Sequence, residues 1–146
     1  MIKKIDHIAI AVKNLDEALQ LYDSLFGVKP SKIETIPQQG VKAALLPMGE
    51  GSEIELLEPI DPQGGIAKFL ENRGEGIHHI CLEVENIDQE LSTLADKGVQ
   101  LIDRQGRPGL AGKVGFLHPK STKGVLIELA QKLSGEGPWQ KIKSEY

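Results

Sequence analysis

Residues 5–12, IDHIAIAV, and residues 77–84, IHHICLEV, are two copies of one segment with a histidine at the same place in each. The two histidines, His7 and His79, lie 72 positions apart. The same offset relates three further pairs, which are Asn14 and Asn86, Asp16 and Asp88, and Leu19 and Leu91. At the far end of each copy, residues 54–56 (IEL) return as residues 127–129 at an offset of 73. The chain therefore contains two copies of one module.

Each copy has the sequence pattern of a small α+β module. Bulky aliphatic residues alternate in residues 5–12 with His7 and two alanines, as in a half-buried strand. Asn14 then predicts the cap of a helix that ends at Gly27, and the second copy repeats this helix from Asp88 to Lys97. Further strands are expected at 41–48, 53–58, 99–102, 113–118 and 124–131. We therefore predict an α+β fold of two tandem βαβββ modules related by a pseudo-two-fold axis.

The modules are expected to form one domain over residues 1–133. Module one spans about 3–60, and module two about 76–131. The connector at about 61–75 contains a short predicted helix from Ile66 to Asn72. The C-terminal tail, residues 134–146, has no counterpart in the first copy, and we interpret it as a loose appendage of unknown role.

Composition narrows the function classes. The chain has 146 residues, 40% of them hydrophobic, which is enough for a core without disulfides. A net charge of −4 without a basic block argues against nucleic acid as a ligand. One cysteine, Cys81, cannot form a disulfide framework or a thiolate zinc site within one chain. Since no run has the length of a membrane span or the form of a signal peptide, we expect a cytoplasmic protein without a membrane partner.

Four side chains in equivalent positions are candidate metal ligands: His7, Glu55, His79 and Glu128. Two imidazoles and two carboxylates converging across a pseudo-two-fold axis would bind a divalent ion. Glu128 lies in an apolar strand that disfavours an unpaired carboxylate. A single histidine in a strand is more often structural, but the repeat argues for ligation. Glu55 has Glu53 and Glu58 nearby, so a plain charged strand face is its alternative.

Other polar residues carry weaker signals. His78 points away from the face of His79 and is interpreted as structural or surface, while Cys81 shares that face as a small cavity-lining residue. The segment from Gly106 to Lys113 suggests a phosphate loop, but Arg107 and Val114 occupy positions where the nucleotide signature requires other residues. A glycine loop flanking the site and a surface turn are both open for this segment.

A mixed histidine and glutamate site suits cobalt, manganese, nickel, magnesium or zinc, and the residues alone do not choose among these metals. Such an ion can chelate two oxygens of a dicarbonyl substrate and stabilise an enolate, while a carboxylate removes the proton.

Six segments together resemble the vicinal-oxygen-chelate superfamily and, within it, the methylmalonyl-CoA epimerases. The resemblance covers residues 2–131, and its most specific part is residues 116–129. The segments are 6–12 (DHIAIAV), 39–41 (QGV), 55–59 (ELLEP), 76–80 (GIHHI), 116–121 (FLHPKS) and 124–129 (GVLIEL).

The resemblance implies an incomplete β-barrel around a metal held by His7, His79 and Glu128, with Glu55 where many members have glutamine. It also implies a homodimer, an acyl-CoA substrate, and interconversion of (2R)- and (2S)-methylmalonyl-CoA. Family members often carry a glutamate that acts as the base two residues after the QGV motif, where this chain has Lys42 and then Ala43. Our hypothesis is therefore that Glu55 and Glu128 are catalytic and exchange the α-proton on opposite faces.

Several alternatives stay open. Arg104, Arg107, Lys120 and Lys123 could meet the phosphates of coenzyme A or be ordinary surface charges. Rival functions are a glyoxalase-type isomerase acting on a glutathione hemithioacetal, an iron-dependent dioxygenase, and a metal-free binding module on the same scaffold.

Overall fold

The structure, a computed structural model, describes residues 1–133. The predicted tail at 134–146 lies outside the described residues. The elements in chain order are β1 Ile2–Ala11, α1 Leu15–Phe26, β2 Lys32–Ile36, β3 Val41–Pro47, β4 Glu53–Pro59, α2 Gly65–Arg73, β5 Gly76–Val84, α3 Ile87–Asp96, β6 Arg107–Gly109, β7 Gly112–Leu117 and β8 Ile127–Gln131. This order is βαβββ, a connecting helix, and βαβββ again, so the predicted α+β modules are confirmed.

The chain has two compact units. Among the described residues, the first unit is His7–His78, and the second unit combines Met1–Asp6 with residues 79–133. The grouping of both modules into a single domain over 1–133 stays a prediction.

Each unit contains the same strand arrangement. In the first unit the hydrogen-bonded order is β2-β3-β4-β1, and in the second it is β5-β8-β7-β6. β1 runs parallel to β4, with Ala9 opposite Glu55, and β5 runs parallel to β8, with Cys81 opposite Glu128. The remaining pairs in these orders are antiparallel hairpins.

Four of the five buried residues in each core are equivalent in the repeat. Each core packs one helix against its strands, and burial of these aliphatic side chains supplies most of the stability of each unit. The first buried cluster is Val12, Leu15, Ala44, Leu46 and Leu56, and the second is Val84, Ile87, Leu91, Leu117 and Leu129.

Both long helices are capped and anchored in the same way. Asn14 accepts a hydrogen bond from the Glu17 N–H at 3.0 Å, and its repeat equivalent Asn86 accepts one from the Gln89 N–H at 3.1 Å. The first N–H of each helix donates to a side chain on the last strand of its module. These contacts are Leu15 N–H to Glu58 at 3.0 Å and Ile87 N–H to Gln131 at 3.0 Å. The repeat thus extends beyond hydrophobic positions to polar contacts.

The predicted strand at 99–102 is wrong. Within it Leu101 makes a single bridge to Leu117, the Ile102 N–H donates to the Phe116 carbonyl oxygen at 2.9 Å, and the pairing stops at Asp103. Asp103 accepts the Phe116 N–H at 2.8 Å, so a carboxylate takes the place of a backbone carbonyl. The strand ends here, because the Asp103 side chain and not the backbone takes the next hydrogen bond from β7.

The real edge strand is β6, which lies in the glycine-rich segment that suggested a phosphate loop. Arg107 is opposite Val114, and Gly109 is opposite Gly112 in a tight hairpin. A Cβ on Gly112 would lie 2.4 Å from the Gln131 carbonyl oxygen, and its φ is +129°, so only glycine fits the turn. The segment is therefore a β-hairpin.

Candidate functional site

His7 and Glu55 form a buried pair in the first unit. Glu55 lies directly opposite Ala9, and His7 is two residues earlier on the same face of β1. The pair is therefore a diagonal across two parallel strands, with the small Ala9 leaving room beside it. His7 Nε2 lies 3.9 Å from Glu55 Oε2, and the two residues are 3% and 6% exposed.

His79 and Glu128 repeat this arrangement in the second unit. Glu128 lies opposite Cys81, which occupies the position equivalent to Ala9, and His79 is two residues earlier on β5. The His79 Nε2 atom lies 3.3 Å from Glu128 Oε1, and both residues are buried. The imidazole packs edge-on against the ring of Phe116, with centroids 5.4 Å apart. Register and side-chain geometry therefore agree between the modules.

The chemistry of the two pairs differs from that of other buried carboxylates in the protein. Asp6 and Glu83 are also buried, but each is neutralised by a lysine, at 2.7 Å from Lys132 and 3.3 Å from Lys3. Glu55 and Glu128 have an imidazole nearby instead. A buried carboxylate beside an imidazole needs a proton or a cation to offset its desolvation. Each pair thus offers one nitrogen and one oxygen donor, a set that fits a borderline or hard divalent ion.

His78 has the structural role that its strand position indicated, whereas a cavity-lining role for Cys81 stays a prediction. The His78 ring packs edge-on against Phe69 at 5.0 Å between centroids, which is a packing contact. Cys81 is fully buried in a cluster of small side chains with Ala111, Val114 and Ala130.

Ala43 stands on the face that carries Glu55. Leu45 is opposite Glu55 and Ala43 is opposite Leu57, so alternation places Ala43 and Glu55 on one side of the β3–β4 hairpin. Ala43 is 1% exposed. Lys42 points to the other side, opposite Glu58, which binds the start of α1. On the face of Glu55, β3 therefore carries the methyl group of Ala43 and not a carboxylate.

Sequence reasoning gave Arg107 no definite role. Its guanidinium lies over the Phe116 ring at 5.7 Å, and Phe116 is the ring that packs against His79. The pattern of glycines and a proline hid β6, and with it the fact that Arg107 faces Val114. A search for an arginine and an aromatic residue on neighbouring strands could have found this contact. Arg104 instead lines a cleft of about 500 Å³ against α3.

Comparison with known proteins shows the family of this chain. A model of the glyoxalase/bleomycin resistance protein/dioxygenase superfamily matches residues 6–118. The chain is 43% identical over 133 residues to the mitochondrial methylmalonyl-CoA epimerase of Dictyostelium discoideum, covering 90% of this chain and 80% of the relative. The chain belongs to the methylmalonyl-CoA epimerase family. The predicted resemblance and the prediction of an isomerase-family enzyme are confirmed.

Solved structures of methylmalonyl-CoA epimerases have the same fold. The enzyme from Mycobacterium tuberculosis superimposes with a TM-score of 0.85 at 36% identity, over 91% of this chain and 90% of its own. A methylmalonyl-CoA epimerase in complex with methylmalonyl-CoA and NH4+ also gives 0.85, at 34% identity, over 94% of this chain and all of its own. These matches confirm the predicted fold class.

Helices in the described part of the chain, residues 1–133, are all too short or too polar to cross a bilayer.

Proposed function

We propose that this protein interconverts (2R)- and (2S)-methylmalonyl-CoA with one divalent metal ion per chain. The observation that carries the proposal is the repetition of one buried histidine–glutamate pair in each module of a methylmalonyl-CoA epimerase family member. A structural relative is named as a complex with methylmalonyl-CoA, which supports an acyl-CoA substrate. A homodimer and a cytoplasmic location stay predictions.

His7, Glu55, His79 and Glu128 would hold the ion. Both pairs are buried, both place Nε2 toward a carboxylate oxygen, and both lie beside a small residue, Ala9 or Cys81. When bound, a divalent ion supplies positive charge that favours loss of the proton α to the thioester. Cobalt is the ion we favour, with manganese, nickel, magnesium and zinc as alternatives that the same mixed donor set accepts.

Glu55 and Glu128 are our candidates for proton exchange. Inversion at one carbon requires removal of a proton from one face and delivery of a proton to the other. One carboxylate would take the α-proton, and the other, as a carboxylic acid, would donate its proton on the opposite face. The buried positions of both glutamates support this role, because exclusion of water strengthens a general base.

A stereospecific assay tests the proposal. We expect the metal-loaded protein to convert (2R)-methylmalonyl-CoA to the 2S epimer, and chelation to abolish conversion. His79→Ala should lose both bound metal, measured after dialysis, and activity. His78→Ala is the matched control, because the His78 imidazole packs on Phe69. This variant should keep both bound metal and activity.

Two results would contradict the proposal. If the wild-type protein, tried with all five metals, leaves (2R)-methylmalonyl-CoA unchanged but isomerises a glutathione hemithioacetal, the glyoxalase alternative replaces the epimerase. If His79→Ala and His78→Ala retain equal amounts of metal, His79 is not a ligand.

A further inference from the structure

Arg107 lies on the sheet face that carries His79 and Glu128. Glu128 is opposite Cys81 on β5 and opposite Phe116 on β7. Arg107 is opposite Val114, two residues from Phe116 on the same strand. Because directly paired residues point to the same side of a sheet, these side chains share one face.

The guanidinium of Arg107 is oriented by two contacts. Its Nε donates to Asp103 Oδ1 at 3.1 Å, and its Cζ lies over the ring of Phe116 at 5.7 Å. Asp103 is itself fixed, because its other oxygen accepts the Phe116 N–H at 2.8 Å. The Asp103 carboxylate thus positions both the Arg107 side chain and the backbone of Phe116. Because these contacts already restrict the Arg107 side chain, it loses less conformational entropy when it binds a ligand.

The two terminal amino groups of Arg107 have no hydrogen-bond partner among residues 1–133. The side chain is 47% exposed, so the fork is accessible to an anion. A guanidinium fork matches the geometry of a carboxylate or a phosphate and can bind either with two parallel hydrogen bonds. A single aromatic ring, that of Phe116, separates this fork from the imidazole of His79.

We propose that Arg107 binds an anionic oxygen group of the acyl-CoA substrate, either the free carboxylate of the malonyl moiety or a phosphate of coenzyme A. The inference rests on the proposed epimerase function. It assigns to Arg107 a substrate-binding role, in which the fork holds an anionic group of the substrate beside the His79–Glu128 pair.

The chain provides a matched control in its first unit. Arg73 lies over the Phe69 ring at 5.8 Å, and Phe69 packs edge-on against His78 at 5.0 Å. This stack has the same arginine, phenylalanine and histidine order, but its histidine is not a proposed ligand. Arg73→Gln removes the same charge and the same kind of ring contact as Arg107→Gln. A difference between the two variants therefore reports the location of the arginine and not the loss of a charge.

Steady-state kinetics test the inference. Arg107→Gln should raise KM for methylmalonyl-CoA by about 10- to 100-fold with little change in kcat, the loss expected for a charge-assisted hydrogen bond to substrate. Arg107→Lys should give an intermediate KM, because it keeps the charge and loses the fork. Arg73→Gln should match the wild type. A KM for Arg107→Gln equal to that of Arg73→Gln would overturn the inference.

A truncated substrate identifies the anion. The N-acetylcysteamine thioester of methylmalonate keeps the thioester and the carboxylate but has no phosphate. If Arg107→Gln still raises KM for this thioester, the partner is the carboxylate. If the effect disappears, the partner is a phosphate of coenzyme A. Either result supports the inference and assigns the group.

Equilibrium binding separates this inference from the proposed activity. Should the wild-type protein fail to epimerise, calorimetric titration with malonyl-CoA still measures the role of Arg107. Weaker binding by Arg107→Gln than by Arg73→Gln supports the site, and equal binding overturns it. Thermal melts of both variants check that each remains folded.

Discussion

Glu55 on β4 and Ala43 on β3 share one face of the β3–β4 hairpin. A carboxylate that acts as a base on this face could therefore be supplied by either strand. In this chain the face carries a carboxylate on β4 and a methyl group on β3. The resemblance to the family indicates the reverse arrangement in many members, with glutamine on β4 and glutamate on β3. We infer that Glu55 supplies the carboxylate that β3 lacks.

A rescue experiment tests this inference. Glu55→Gln can still coordinate a metal but cannot accept a proton, so kcat should fall by about 10²- to 10⁴-fold. Ala43→Glu added to that variant should restore part of the loss, because it returns a carboxylate to the same face. Glu71→Gln, at an exposed position on α2, is the control for loss of a glutamate charge and should keep wild-type kcat. Full activity of Glu55→Gln alone would exclude Glu55 as a required base.

Among the elements, the segments with strong periodicity could be predicted from the sequence. α1 and α3 have apolar residues at helical spacing and an asparagine cap, and both form within one or two residues of the expected bounds. α2 was also predicted correctly as the connector helix. Long amphipathic patterns of this kind leave few alternatives.

The edge strands could not be predicted in the same way. β2 is only five residues long and β6 only three, and β6 contains a proline and a glycine. Such a segment gains its hydrogen bonds from a neighbouring strand and has little pattern of its own. Residues 99–102 have the apolar pattern of a strand, but Asp103 takes the N–H of Phe116 on the edge of β7 next to them.

The contact between α3 and the β6–β7 hairpin predicts a pH effect. Asp88 accepts hydrogen bonds from the Lys113 ammonium and the Gly106 N–H, and these lower the pKa of Asp88 below its ordinary value of 3.8. The stabilisation is therefore complete above about pH 4 and is lost as the pH falls through the lowered pKa. Because Asp88 is 46% exposed, it should contribute less than about 1 kcal/mol.

Urea unfolding of Asp88→Asn measures this contribution. The variant should be less stable than the wild type at about pH 7, and the difference should shrink toward about pH 3. Asp16→Asn, the equivalent substitution in module one, controls for loss of a negative charge in the first helical turn. A difference for Asp88→Asn that is independent of pH would show that its carboxylate is not stabilised in the ionised form.

At the scale of the whole molecule, the internal repeat carries most of the predictive information. The offset of 72 or 73 residues relates the caps, the cores and the two histidine–glutamate pairs. A repeat can be seen in the sequence without any knowledge of packing, which is why the candidate ligands could be predicted. Arg107 could be named only as one of four cations that could meet coenzyme A phosphates or be surface charges. Its contacts depend on Phe116 and Asp103, which lie on other segments and have no equivalents in module one.

The most direct test of the account follows the α-proton of (2R)-methylmalonyl-CoA in deuterated water. NMR measures its exchange, and a stereospecific assay measures formation of the 2S epimer with metal-loaded protein. We predict both deuterium incorporation and inversion, since one carboxylate from each module would serve each face. Exchange without inversion would contradict the account, because it would mean that a single base acts on one face only.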